Sequence, residues 1–139
     1  MEATAHPAAV TDATFQAEVE QHKGLVIVDF WATWCGPCRR EMPTIQKLHQ
    51  RYGAKGLAVY GINCSEPKSA VAAFLRTNKY TIPMLLDQDG IVQGKFQVDG
   101  IPTMFVLDAK GTIVAHFVGV REEGDLRDAL KRAGLAIGP

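Results

Sequence analysis

The sequence predicts a single α/β domain built on a central mixed, mainly parallel sheet flanked by helices. Short apolar runs of strand character alternate with longer stretches whose apolar residues recur at helical spacing, the pattern of β-α-β units. In addition, the run Leu25-Val26-Ile27-Val28-Asp29-Phe30-Trp31 is apolar at nearly every position, as a strand covered on both faces must be. With 139 residues and 47% hydrophobic content, one domain with a sizeable core is the natural reading.

Residues 1–10 are small, polar and proline-containing, and read as a flexible tail ahead of a domain over 11–139. Thr11 or Asp12 caps a first helix that carries Phe15 and Val19 on one face and ends near Lys23-Gly24. After the strand over 25–31, Met42, Ile45, Leu48 and Tyr52 keep a helical stripe, kinked by Pro43 and stopped by Gly53. Residues 57–62 read as the next strand, and Ser65 or Glu66 with Pro67 opens a helix that buries Val71, Phe74 and Leu75. Residues 84–87 form a short strand ending at the turn Gln88-Asp89-Gly90. Residues 103–107 and 112–118 pair as a hairpin through Asp108-Ala109-Lys110-Gly111. Leu126, Ala129, Leu130 and Ala133 mark a last helix, stopped by Gly134.

Charge and composition narrow the function. Lys plus Arg and Asp plus Glu both number 15, so no basic field exists to hold nucleic acid or anionic lipid. Three cysteines are too few for a disulfide-stapled scaffold. The longest apolar run is broken by Asp29 and too short to span a bilayer, and no charged region followed by an apolar one opens the chain, so it is expected to be soluble and without a leader as written.

The chemistry-bearing feature is Trp34-Cys35-Gly36-Pro37-Cys38, directly after the apolar strand and directly before a helical pattern. Two thiols at this spacing, at a strand-to-helix junction, are the layout of a dithiol/disulfide redox centre. Cys35 falls at the helix N-terminus, where unpaired N–H groups and the positive dipole end stabilise a thiolate, so it is the expected nucleophile. Pro37 suits the first turn, and Gly36 leaves the approach of a disulfide open. Cys38, one turn along and further inside, is placed to resolve the mixed disulfide. The competing readings are a zinc pair or two ordinary core cysteines, but a structural zinc site usually needs four ligands, no second Cys-x-x-Cys or His pair is present, and His6, His22, His49 and His116 are scattered.

The segment from Val28 to Cys38, Pro43, and Gly100-Ile101-Pro102-Thr103 resemble the thioredoxin superfamily over roughly residues 12–134. Gly61-Ile62-Asn63 leading to Glu66, then Ile82-Pro83-Met84-Leu85-Leu86-Asp87 and the hairpin from Phe105 to Gly111, resemble its extracytoplasmic reductases of the TlpA/ResA type. The resemblance implies a thioredoxin fold with a central αβ insertion between Asn63 and Pro102. It implies a cis Pro102 facing Cys35, with the Ile101 backbone free to pair with an extended substrate and with Trp34 and Gly119 bordering the groove. It also implies that residues 1–10 are the remnant of a linker behind a removed leader or anchor, and an extracytoplasmic or periplasmic site, the alternative being cytoplasmic.

Two acids stand near the thiols. Asp29 lies within an apolar strand, where an unpaired carboxylate is costly, so its pKa should rise; the alternative is an outward-facing strand residue. The resemblance places the matching aspartate behind the second cysteine, helping to move its proton. Glu66 lies beyond the C-terminal edge of a parallel strand, where α/β sheets place their chemistry. It is either an acid beside the thiols, as the resemblance implies, or a helix-terminal acid favoured by the dipole. Asp29 and Glu66 are together expected to serve Cys38. Cys64 reads as a small core residue rather than a third redox thiol. Met42, Met84 and Met104 read as core, and Arg39-Arg40 as a solvated helix face that also favours a thiolate.

The expected function is thiol:disulfide exchange, in the reducing direction by analogy with thioredoxin, with no cofactor beyond a Cys35–Cys38 disulfide. Cytochrome c maturation and envelope redox homeostasis are the candidate settings. Expected partners are protein disulfides and an upstream electron donor, for a monomer that meets a membrane only through a removed anchor. The alternatives are a general disulfide oxidase or isomerase and, in a different class, a non-catalytic Cu(I) carrier.

Overall fold

The computed structural model describes residues 8, 9, 15, 19 and 22–137. Its central strand is β2 (Val26–Trp31), buried at every position. Val26, Val28 and Phe30 enter one apolar cluster with Phe15, Val19, Ile62 and Phe105. Ile27 and Trp31 enter another with Met42, Ile45, Leu48 and Leu130. Successive strand side chains point to opposite faces, so two covered faces require the near-continuous apolar run. Asp29 shares the parity of Ile27 and Trp31 and is turned into the second cluster.

The chain then enters α1 (Gly36–Tyr52), with Pro43 inside the helix and Cys38, Met42, Ile45 and Leu48 on its buried side. The expected stop at Gly53 comes early. Gly53 is still right-handed at φ −56, and a 3-10 turn over Gly53–Lys55 carries the chain to Gly56 at φ +100. The reversal sits where the missing Cβ is needed. β3 (Ala58–Cys64) pairs parallel with β2 and runs two residues past the expected end, because Asn63 and Cys64 find partners in Leu86 and Asp87. α2 (Lys68–Asn78) crosses to β4 (Met84–Asp87), parallel to β3; these are the inserted helix and strand. A short helix that the sequence reading omits, α3 (Ile91–Lys95), follows the turn. The buried Asp87 carboxylate accepts the N–H groups of Val92 at 3.2 Å and Gln93 at 2.8 Å, satisfying donors that a helix start leaves open. The antiparallel hairpin β5 (Thr103–Leu107) and β6 (Ile113–Val118) and the helix α4 (Glu123–Arg132) complete the fold.

The described strands run in the order β1-β4-β3-β2-β5-β6, with β5 antiparallel to β2. β1 is Ala8–Ala9, paired parallel with Leu85 and Leu86. Part of the stretch expected as a flexible tail is therefore sheet edge, because β4 would otherwise present an unpaired row of backbone groups there. The expected cap of the first helix and the rest of residues 1–7 lie outside the described residues; Phe15 and Val19 are described, and both are buried.

Gly61 lies between Asp29 of β2 and Met84 of β4. A Cβ there would fall on Met84 Sδ and within 3.0 Å of Trp31 Nε1. Met84 is itself 2% exposed and has little room to yield. Gly61→Ala is expected to lower stability by about 1–3 kcal/mol in urea unfolding, the cost of overpacking a filled core. An unchanged midpoint would show that Met84 rotates away freely.

Candidate active site

The site is assembled where β2 passes into α1. Cys35 donates its backbone N–H to the Ala32 carbonyl at 3.2 Å and accepts from the Arg39 N–H at 3.0 Å, closing the first turn of the helix. It is the helix N-cap in an extended conformation, and its Sγ accepts the Cys38 N–H at 3.2 Å. The sulfur therefore sits where open N–H groups and the helix dipole both favour negative charge. Cys35 and Cys38 form a disulfide, with Cα atoms 5.2 Å apart. Cys38 is 1% exposed and Cys35 4%, while Gly36 and Pro37 are exposed and Trp34 stands 71% exposed beside them. The approach to the disulfide is from the Cys35 side.

The Ile101–Pro102 bond is cis. The Ile101 carbonyl oxygen lies 3.8 Å from Cys35 Sγ. Gly119, at φ +87, donates its N–H to the Pro102 carbonyl at 2.9 Å and so holds this loop to β6. A cleft of about 390 Å³ runs from Trp34 and Ile101 past Gly100 and Asp99 to Ser65 and Gln93. Ile101 thus reaches Cys35 directly, Gly119 is tied to the adjoining Pro102, Trp34 shares a cleft with Ile101, and Gly36 and Pro37 lie between the two cysteines.

Two acids are buried in this part of the fold. Asp29 is 2% exposed, and its Oδ1 has no hydrogen-bond partner. Burial pushes its pKa well above the usual carboxylate range, and the charge of Glu41 pushes it further. Glu41, also 2% exposed, lies on α1 one turn beyond Cys38. Its Oε2 accepts the Arg121 N–H at 2.7 Å, and its Oε1 has no partner. Burial raises its pKa, partly offset by the Arg121 N–H and the Arg121 charge. Sequence reasoning overlooked Glu41. The signal was present, because residues 38, 41, 42 and 45 follow the i, i+3, i+4, i+7 spacing of one helix face, and a glutamate on that face must be buried.

Glu66 is tied to the turn that precedes Cys35. Its carboxylate accepts the Thr33 N–H at 2.7 Å, the Thr33 hydroxyl at 2.5 Å and the Asn63 Nδ2 at 2.8 Å. It braces the turn before Cys35 against the end of β3. The acid that Asp29 faces is Glu41. Cys64 is buried and free, its thiol pushed up to about 12 by burial and then by the charge of Asp87, so it stays protonated at neutral pH. Among the described residues, no three His, Cys, Asp or Glu side chains are grouped to hold a metal ion, and no helix is long and apolar enough to cross a membrane.

Comparison with known proteins agrees with this geometry. The AhpC/TSA family profile matches residues 4–116. The thioredoxin-like protein YneN of Bacillus subtilis is 39% identical over 108 residues, covering 76% of this chain and 62% of its own length. The thiol-disulfide oxidoreductase ResA of Bacillus cereus is 30% identical over 116 residues, covering 83% of this chain and 67% of its own. This chain therefore spans about two thirds of the length of these relatives or somewhat less. A thiol:disulfide interchange protein of the thioredoxin family from Chlorobium tepidum superposes with a TM-score of 0.74 at 29% identity, over 85% of this chain and 83% of that one.

The two acids leave a signature in the pH dependence of stability. An acid whose pKa is raised by folding contributes stability that is fully present below its unfolded value, about 3.9 for Asp, and that is lost as pH rises through the folded value. Asp29→Asn removes this loss. The variant is expected to gain stability relative to the native protein between pH 3 and pH 7, measured by denaturant unfolding at each pH. An equal difference at both pH values would show that Asp29 does not hold its proton in the fold.

Proposed function

The chain belongs to the AhpC/TSA family, and we propose that it is a thiol:disulfide oxidoreductase that reduces protein disulfides. The observation that carries this reading is the Cys38 N–H directed at Cys35 Sγ, at a helix N-terminus, beside the Ile101 backbone. In the dithiol form the Cys35 thiolate attacks one sulfur of a substrate disulfide, and the other sulfur leaves as a thiolate. The mixed disulfide is then attacked by the Cys38 thiolate at Cys35 Sγ, which releases the second substrate sulfur and closes the Cys35–Cys38 disulfide. Two electrons and two protons pass to the substrate, and an upstream dithiol donor must return them.

The first attack is supported by the helix terminus, and the second needs a base, since Cys38 is the deeper thiol. Asp29 and Glu41 are the acids in position, and their raised pKa values bring proton exchange toward neutral pH. The charge of Glu41 raises the Asp29 pKa, so the protonation of Asp29 depends on that of Glu41. Glu66 supports the turn that presents Cys35. The substrate is a protein segment that docks extended along Ile101 and against Trp34, by added-strand pairing. By likeness to ResA the setting is extracytoplasmic, with an apocytochrome c, an oxidase assembly factor or a damaged envelope protein as substrate.

Cys38→Ser is expected to accumulate mixed disulfides through Cys35, which mass spectrometry of the trapped adducts identifies. The potential measured against glutathione is expected near −270 mV, the thioredoxin range, and a value near −120 mV would instead mark an oxidase. No trapped adduct, together with no reduction of protein disulfides, would remove the reading altogether.

A second outcome concerns the acids. The Asp29→Asn, Glu41→Gln double variant is expected to slow resolution of the mixed disulfide by about a hundredfold near pH 7, the scale of a lost general base. The first attack by Cys35 should change far less. Pre-steady-state rates of the two steps decide this, and unchanged resolution in the double variant would clear both acids of the role.

A further inference from the structure

At the opposite end of the sheet from the disulfide lies a concavity of about 490 Å³. Leu25, which lines it, directly precedes β2, whereas Cys35 follows the far end of that strand, so a strand length of about 20 Å separates the two regions. Three lysines enter it from three different loops: Lys23 before β2, Lys55 after α1 and Lys110 from the β5–β6 turn. We propose that this cleft is a binding site for an oxyanion of the phosphate type.

The loops are held together by contacts unrelated to the redox centre. Gly24 packs so closely on the Gly56 carbonyl that a Cβ at Gly24 would lie 2.5 Å from that oxygen, and His22 Nε2 lies 3.2 Å from the same atom. Gly56 itself needs φ +100. The Leu25 carbonyl accepts the Ala58 N–H at 2.9 Å. On the third side, the Asp108 carboxylate accepts the N–H groups of Lys110 at 2.9 Å and Thr112 at 3.0 Å, which fixes the turn that carries Lys110. Lys55 is steadied by the Ala136 carbonyl at 3.5 Å and by the Tyr52 ring, 5.8 Å away.

The charges point the same way. Lys47 and Arg51 share the carboxylate of Glu123, whereas among the described residues Lys23, Lys55 and Lys110 have no ion-pair partner. Asp108 also lines the cleft, its Oδ1 taken up by its own turn, and its single negative charge stands against the three lysines. Three lysines from separate loops line one concavity, and a multivalent anion there would be attracted by all three. Ammonium groups act as point charges and serve as phosphate ligands without the planar fork of arginine, which the cleft lining lacks. The volume falls in the range of small-molecule sites, with room for a phosphate and the group that carries it. Both a free phosphate and a phospholipid headgroup present this chemistry, and a headgroup bound here would leave the disulfide facing away from the bilayer.

The test is an amide-resolved NMR titration of the oxidised protein with inorganic phosphate, against sodium chloride of matched ionic strength. A parallel arm sediments the protein with vesicles of phosphatidylglycerol or of phosphatidylcholine. Saturable phosphate shifts at Gly24, Gly56 and Gly134, weakened by about tenfold or more in the Lys23→Gln, Lys55→Gln, Lys110→Gln triple variant, support a site for the free anion. Co-sedimentation with phosphatidylglycerol alone, lost in the same variant, supports the headgroup as the source. All three lysines are exposed and remote from the disulfide, so the variant should keep its fold and its native rate of disulfide reduction. Shifts that chloride reproduces, or binding of phosphate and vesicles that is absent or unaffected by the triple substitution, overturn the proposal.

Discussion

The passage from β2 to α1 through residues 32–35 holds the Cys35 sulfur against the first free N–H groups of a long helix, and most of the fold serves to keep that passage in place. A helix terminus favours a thiolate only while the sulfur stays within its first turn. The Cys38 N–H at 3.2 Å shows that it does. The turn is pinned from behind by Glu66, which takes up both the N–H and the hydroxyl of Thr33, and Asn63 secures Glu66 in turn. Asn63 pairs with Trp31 in the β2–β3 ladder, so the brace inherits its position from strand register. The same strand aligns the loop that carries the cis proline. Phe30 stands opposite Thr103, which brings Pro102 and Ile101 alongside Cys35.

Within β2 and α1 themselves the environment reverses. Asp29 and Glu41 are nearly inaccessible, each leaves a carboxylate oxygen without a partner, and each holds its proton more tightly than in water. An isolated buried charge costs several kcal/mol, so a fold selected for stability alone would place apolar side chains here. Cys35 sits at an open helix end that favours its anion, whereas Cys38 shares the buried face of that helix with Glu41. Such a difference suits a reaction in which one thiol attacks first and the other only after the mixed disulfide has formed.

Most of the frame was legible because it depends on local pattern. The two-sided burial of β2, the stripe of Met42, Ile45, Leu48 and Tyr52, and the hairpin over residues 103–118 each follow from periodicity that the core enforces. What escaped depends on partners distant in sequence. The α3 helix is only five residues long and is held by a carboxylate from the preceding strand. The pairing of Ala8–Ala9 is decided by the open edge of β4, which no property of two alanines announces. Glu66 was placed at the correct edge of the sheet, but its role depends on the Thr33 N–H across the strand gap, which spacing alone does not reveal. Glu41 escaped for a different reason. Its position on the buried face was readable, but a glutamate between Arg40 and Met42 on a helix otherwise rich in charge passes for a surface residue.

The short segment after β6 connects the two sides of the reaction centre. Gly119 gives its N–H to the Pro102 carbonyl, and two residues later Arg121 gives its N–H to Glu41. The first bond holds the loop whose neighbouring Ile101 carbonyl lies against Cys35. The second holds Glu41, on the helix face it shares with Cys38. Gly119 adopts φ +87, a conformation open to glycine at no steric cost, so the chain turns there without displacing either contact. The Arg121 guanidinium lies over the Phe117 ring, 5.4 Å from its centroid, which fixes the segment to β6. Because Glu41 accepts a bond from this backbone, the carboxylate form is favoured by the same segment that holds the cis-proline loop, while burial favours the protonated form. Burial outweighs the bond, so the Glu41 pKa stays raised, and the Arg121 N–H moderates the rise.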